Sequence, residues 1–225
     1  MSGMPVVPHR FLFRFSIPVS HVAKRATGGQ PFLDLDAAAF FPDLNPLDDA
    51  ASFAKIQAGW NEDGIGFRVS VTGKKMPIAE TPDEPRESDG FQLWLDTRNT
   101  QSIHRASRFC HHFAFLPASS ASAGRGKKNG AGTAYQFAIA LAKEDASSNR
   151  AGLLRTASKT LAGGYVLDAW IPAETLTGYD PTANPLIGFY YAVRDAELGE
   201  QFLAVGRDFP FDHDPSLWST LELTP

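Results

Sequence analysis

Apolar side chains recur at every second position in a series of short stretches along the chain. Residues 11–17 put Phe11, Phe13, Phe15 and Ile17 on one side and Leu12, Arg14 and Ser16 on the other. Residues 65–71 align Ile65, Phe67, Val69 and Val71, and residues 91–95 set Phe91, Leu93 and Leu95 against Gln92 and Trp94. Residues 109–115 set Phe109, His111, Phe113 and Phe115 against Cys110, His112 and Ala114. The same period runs through 135–141, 166–171 and 187–193, the first of these through Tyr135, Phe137, Ile139 and Leu141. Successive side chains of a strand point to opposite faces, so each stretch predicts a strand buried on one side. Gly, Pro and Asp turns separate them. The pattern predicts an all-β chain: an antiparallel β-sandwich, jelly-roll-like, of about ten strands with minimal helix. Brief helical segments are expected at 48–58 and 172–176. The absence of an alternating β/α rhythm argues against a doubly wound nucleotide-binding sheet.

Two stretches break the period. Residues 74–88 carry three prolines and several acids and read as a solvated loop. Residues 118–133, ASSASAGRGKKNGAGT, are small and polar, with Arg125, Lys127 and Lys128 at the centre, and read as a flexible loop. Because the strand pattern resumes at Tyr135, that loop joins strands rather than domains. One domain over 1–225 is expected.

Composition narrows the function classes. The 225 residues carry a formal net charge of −4, against the basic face of a nucleic-acid binder. The lone cysteine, Cys110, excludes an internal disulfide framework and a multi-thiolate zinc site. No stretch approaches the ~18 apolar residues of a membrane helix. Arg10 and Arg14 interrupt the apolar N-terminal stretch, so no signal peptide is read and a cytoplasmic location is the expectation.

The chemistry-bearing clusters are sparse. His104, His111 and His112 lie near Cys110, but adjacent His111 and His112 point to opposite faces of a strand and cannot share an ion. Residues 209–215, FPFDHDP, offer carboxylates that suit calcium or, more simply, a turn. Ser216 and Ser219 sit in no nucleophile-elbow context, and the GRGKKNGAG stretch lacks the ending of a phosphate loop. A non-enzymatic protein without a cofactor is expected.

From about residue 54 to 225, the order of segments resembles the family 9 carbohydrate-binding modules and related DOMON-like sandwiches. The resemblance rests on Trp60-Asn61 opening GWNEDGIGFRVSVTG, on SDGFQLWLD ending in Asp96, and on GYVLDAWIP from Gly164 to Pro172. Ile187-Gly188-Phe189 leading to Val193-Arg194-Asp195-Ala196, and the closing Asp214-Pro215-Ser216, continue it. The resemblance implies a sandwich that binds the end of a sugar chain between two tryptophans, often with structural calcium. In this chain those tryptophan positions fall near Arg86 or Glu87 and near Asp212 or His213, and Gln92 stands where the family has a glutamate. The resemblance also implies that the strands are close neighbours. Gln92, Trp94, Arg108, His112, Asp168, Trp170 and Arg194 are then expected to converge on one concave face. That face would suit a sugar or similar small polar ligand, with a protein-interaction role as the alternative.

Overall fold

The computed structural model describes residues 7–23, 35, 38, 40–50, 52–118 and 129–225. In chain order the strands are β1 (Ser16–Ser20), β2 (Ala54–Asn61), β3 (Gly64–Thr72), β4 (Gly90–Asp96), β5 (Cys110–Leu116) and β6 (Asn129–Gly130). They continue with β7 (Thr133–Phe137), β8 (Arg155–Leu161), β9 (Gly164–Pro172), β10 (Leu186–Asp195), β11 (Gly199–Phe202) and β12 (Ser219–Thr224). The helical segments among the described residues are 3-10 turns of three or four residues. No described helix is long and apolar enough to cross a membrane.

Among the described residues the strands form two sheets. The first, sheet A, runs β1-β12-β10-β4-β5-β7, and β11 also pairs with β10. The second, sheet B, runs β2-β3-β9-β8-β6. Pairing is antiparallel except between β1 and β12, which run parallel. β12 takes the Leu186–Phe189 end of β10 and β11 the Ala192–Asp195 end. Between them, residues 203–218 are free to leave the sheet and fold back across its outer face.

The predicted alternation explains how the sheets pack. Ile65, Phe67, Val69 and Val71 of β3 turn inward, as do Phe91, Leu93 and Leu95 of β4 and Phe189, Tyr191 and Val193 of β10. The Phe67 ring stacks on Phe189 at 5.8 Å and tilts against Phe91 at 5.8 Å, so three strands from two sheets meet at one ring. Burial of such side chains is worth roughly 1.5–3 kcal/mol each before chain entropy is charged against it.

Three local expectations are corrected. The 11–17 run is not one strand: residues His9–Leu12 form a 3-10 turn and β1 begins at Ser16. The period fails there because Arg10 and Arg14 turn back onto the body of the protein, Arg10 to Asp48, Asn45 and the Phe202 carbonyl, and Arg14 to the Ser216 carbonyl. No helix covers 48–58. A 3-10 turn ends at Asp48, and β2 runs from Ala54, bonded along its length to β3. The strand expected over 135–141 stops at Phe137; Leu141 has φ 56° and an exposed side chain. In the 118–133 stretch, Ala118 is buried and Asn129–Gly130 pair with β8, while Arg125, Lys127 and Lys128 lie outside the described residues.

Candidate functional site

Strand register aligns four outward-facing rings in one row across sheet A. Tyr190 on β10 lies opposite Trp94 on β4, Trp94 opposite His112 on β5, and His112 opposite Phe137 on β7. Directly opposed side chains on one face are in contact range. Accordingly, the Trp94 and His112 rings stack at 4.3 Å and 11°, and His112 meets Phe137 at 5.3 Å. The Arg86 guanidinium continues the row, 5.5 Å over the Phe137 ring. In the next row, Ala192 and Ala114 flank Gln92, and these small neighbours leave space above the sheet.

That space is a cleft of about 800 Å³. Residues Asp83 to Glu87 form one wall, Phe137 to Ala140 a second, and Arg207, Phe209, Phe211 and Asp212 a third. The third wall is the segment that folds back from β11. Phe211 stacks on Tyr190 at 4.7 Å and stands edge-on to Trp94 at 5.4 Å. The Trp218 indole donates to the Phe211 carbonyl at 2.7 Å, and the Tyr190 hydroxyl donates to Val205. Phe209 is half-buried and stacks on Phe11 at 5.5 Å. Phe137 and Phe209 therefore present partly open rings to the cleft.

The polar groups of the floor are fixed. Gln92 donates through Nε2 to the Arg86 carbonyl at 3.1 Å, and its Oε1 lies 3.2 Å from His112 Nε2. An amide oxygen only accepts, so the His112 proton sits on Nε2. Burial, reinforced by Arg86, pushes the His112 imidazole down to about 3, which keeps the ring neutral. The Trp94 indole N–H is buried and finds no acceptor. On the rim, Arg207 holds Glu200 through two bonds of 2.8 and 2.5 Å, and Arg194 pairs with Glu87 at 3.0 Å.

Of the seven residues expected to converge, Gln92, Trp94 and His112 lie together on the cleft floor. Trp94 is only 2% exposed, so it underlies the cleft instead of offering an open platform. Arg194 stands beside the first wall, donating through Nε to the Glu87 carbonyl at 2.9 Å. The other three are elsewhere. Arg108 precedes β5, pairs with Glu144 at 3.6 Å and lies over Phe109. Asp168 and Trp170 are on β9, a strand of sheet B, where Asp168 holds Arg68 at 2.7 Å and Trp170 packs on Leu35. Convergence fails for Asp168 and Trp170 because β9 belongs to the opposite layer, and for Arg108 because it sits in the turn before β5, where strand alternation does not set its direction. Sequence reading missed Phe137, Phe209, Arg86 and Arg207. Phe137 was within reach, since pairing β7 with β5 turns it outward beside His112. Phe209 lies in an irregular segment that carries no period to read.

The remaining clusters are structural. His111 points inward, as alternation requires, and accepts from the Thr177 N–H at 3.1 Å; burial takes it down to about 4. Burial also pushes the Cys110 thiol up to about 11. Asp214 caps the Pro215–Leu217 turn by accepting from the Ser216 N–H at 2.9 Å, and its other oxygen lies 3.1 Å from His104. Asp212 pairs with neighbouring His213 at 2.7 Å. The 209–215 carboxylates thus do not fit a calcium site. Among the described residues, no group of three or more His, Cys, Asp or Glu side chains is placed to hold a metal.

Comparison with known proteins matches residues 41–224 to the family described as "Carbohydrate family 9 binding domain-like". Among solved structures, one similar chain is a family 9 carbohydrate-binding module from Caldicellulosiruptor kristjanssonii in complex with cellotriose. It is 16% identical with a TM-score of 0.65, covering 93% of this chain and 94% of its own. A module of the same family and organism, in complex with glucose, is 14% identical with a TM-score of 0.62, covering 93% and 96%. These likenesses establish the shared sandwich fold. No curated protein matches the chain.

Proposed function

The chain belongs to the carbohydrate family 9 binding domain-like family, and from that premise we propose that the cleft on the outer face of sheet A binds a carbohydrate without acting on it. The chain works as one domain in this reading. The observation that carries it is the pair of half-buried rings, Phe137 and Phe209, lining a roomy cleft over a floor of Gln92, Trp94 and His112. A sugar has an apolar ring face for such rings and hydroxyls for a few fixed polar groups. Phe137, with Arg86 stacked on it, and Phe209 take over the work for which the sequence lacks tryptophans.

A binding role without catalysis is supported by the acids. Glycoside hydrolysis needs a carboxyl held protonated beside the scissile bond. Among the described residues, a carboxyl that burial raises is Asp96, which is folded into its own turn by the Arg98 and Thr100 N–H groups and does not line the cleft.

Titration of intrinsic tryptophan fluorescence with glucose and cellotriose tests the proposal, with Trp94 beneath the floor as reporter. The expected result is a saturable change that Phe137→Ala and Phe209→Ala each weaken by about tenfold or more. A flat response to both sugars and to a wider panel of mono- and oligosaccharides would overturn it and favour a protein ligand.

A further inference from the structure

The first wall of the cleft belongs to the 74–88 segment, which leaves β3 and returns to β4. Between Lys74 and Ser88 no side chain is buried; Ile78, Ala79 and Pro85 are half-buried and the rest exposed. Hydrophobic burial contributes little beyond Ile78, which packs against the core, while Arg86 and Glu87 are held at the cleft by Gln92, Phe137 and Arg194. The two ends of the segment are joined inside the protein by charge. The Lys74 ammonium is 2.9 Å from Asp89 Oδ2 and 2.9 Å from Asp195 Oδ1, and all three side chains are at most 3% exposed.

Each carboxylate then organises backbone. Asp89 accepts from the N–H of Ala79 at 2.9 Å and of Ala196 at 2.7 Å, while its own N–H donates to the Ala79 carbonyl. Asp195 Oδ1 accepts from the N–H groups of Glu197 and Leu198. Glu197 in turn accepts from the N–H groups of Lys75 and Met76. The cluster thus ties both ends of the segment to the β10–β11 turn. It is costly to bury: two carboxylates share one ammonium, and Asp195 Oδ2 and the Tyr165 hydroxyl, both buried, have no partner. A well-packed apolar cluster holds a fold as well or better, whereas directional ionic bonds fix geometry.

We infer that Lys74, bridging Asp89 and Asp195, is a positioning residue for the ligand cleft, fixing the segment whose residues 83–87 form its first wall. This inference rests on the carbohydrate reading for its effect on affinity, but the ordering of the wall is measurable without any sugar. The test compares the 225-residue chain with Lys74→Met and with the charge-free triple variant Lys74→Met/Asp89→Asn/Asp195→Asn, which keeps side-chain volume if the single variant fails to fold. Hydrogen exchange is expected to show amide protection across 75–88 falling by about 100-fold while β3, β9 and β10 stay within about threefold. Cellotriose affinity, by calorimetry, is expected to fall by about tenfold or more with fold retained.

Unchanged protection across 75–88 in the triple variant would overturn the inference, and so would loss spread evenly through the core. Local loss of protection with cellotriose affinity within about twofold of the parent would also overturn it. If the parent binds no cellotriose, the carbohydrate reading loses that support, and exchange confined to 75–88 still decides whether Lys74 orders the wall.

Discussion

The outer faces of the two sheets are made from similar strands, and each carries a tryptophan flanked by polar residues. On sheet B, Trp170 lies under Leu35, Gln57 donates to the carbonyls of Leu35 and Ala38, and Arg68 is paired with Asp168. Leu35 and Ala38 thus cover Trp170 and satisfy Gln57 on that face. On sheet A, Trp94 is just as buried, but its cover is partial: the 203–212 segment crosses Tyr190 and stops, leaving the cleft between Phe209 and Phe137. A buried tryptophan on an outer face therefore does not mark a site. What singles out the candidate site on sheet A is the gap left in the chain that covers Trp94.

The largest expected effects come from the two tryptophans. Trp94→Ala and Trp170→Ala should each cost about 3–5 kcal/mol in urea unfolding, because both rings are buried. Only Trp94→Ala should also abolish cellotriose binding measured by calorimetry. Loss of binding in Trp170→Ala without loss of stability would break the distinction between the faces.

The next effect separates the sheets by pH. His111 and His112, both on β5 of sheet A, are held neutral with folded values of about 4 and 3, below the ordinary 6.5 of an unfolded chain. Below that value the unfolded chain binds more protons, so stability is complete above about pH 6.5 and falls on acidification. The expected slope is up to about 1.4 kcal/mol per pH unit for each histidine. Replacing His112 with Phe should roughly halve the slope of unfolding free energy between pH 4.5 and 6; an unchanged slope would contradict its neutral, buried state.

Smaller effects sharpen the contrast. Asp168→Asn weakens a partly buried pair on sheet B and should cost about 1–3 kcal/mol with cellotriose affinity intact. Arg108→Ala removes an exposed pair with Glu144 and should change stability by no more than about 0.5 kcal/mol, again without effect on binding. A tenfold loss of affinity in either variant would return that residue to the site.

The sequence by itself determined which way the side chains point along most strands. Phe91, Leu93 and Leu95 face inward and Gln92 and Trp94 outward because a strand alternates locally, whatever it pairs with. The same rule separated His111 from His112 before any partner was known. It failed at 11–17, where Arg10 and Arg14 reach carbonyls about 200 residues away. Tertiary structure alone decided which outward faces meet. Trp94 and Trp170 have the same local pattern, but β4 pairs with β10 and β5, whereas β9 pairs with β3 and β8 in the opposite layer. The cleft walls were likewise beyond local reading. Phe209 is placed by its stack on Phe11, Arg86 and Glu87 by Gln92, Phe137 and Arg194, and the ends of their segment by the meeting of Lys74, Asp89 and Asp195. Those contacts join distant parts of the chain, so no periodicity encodes them.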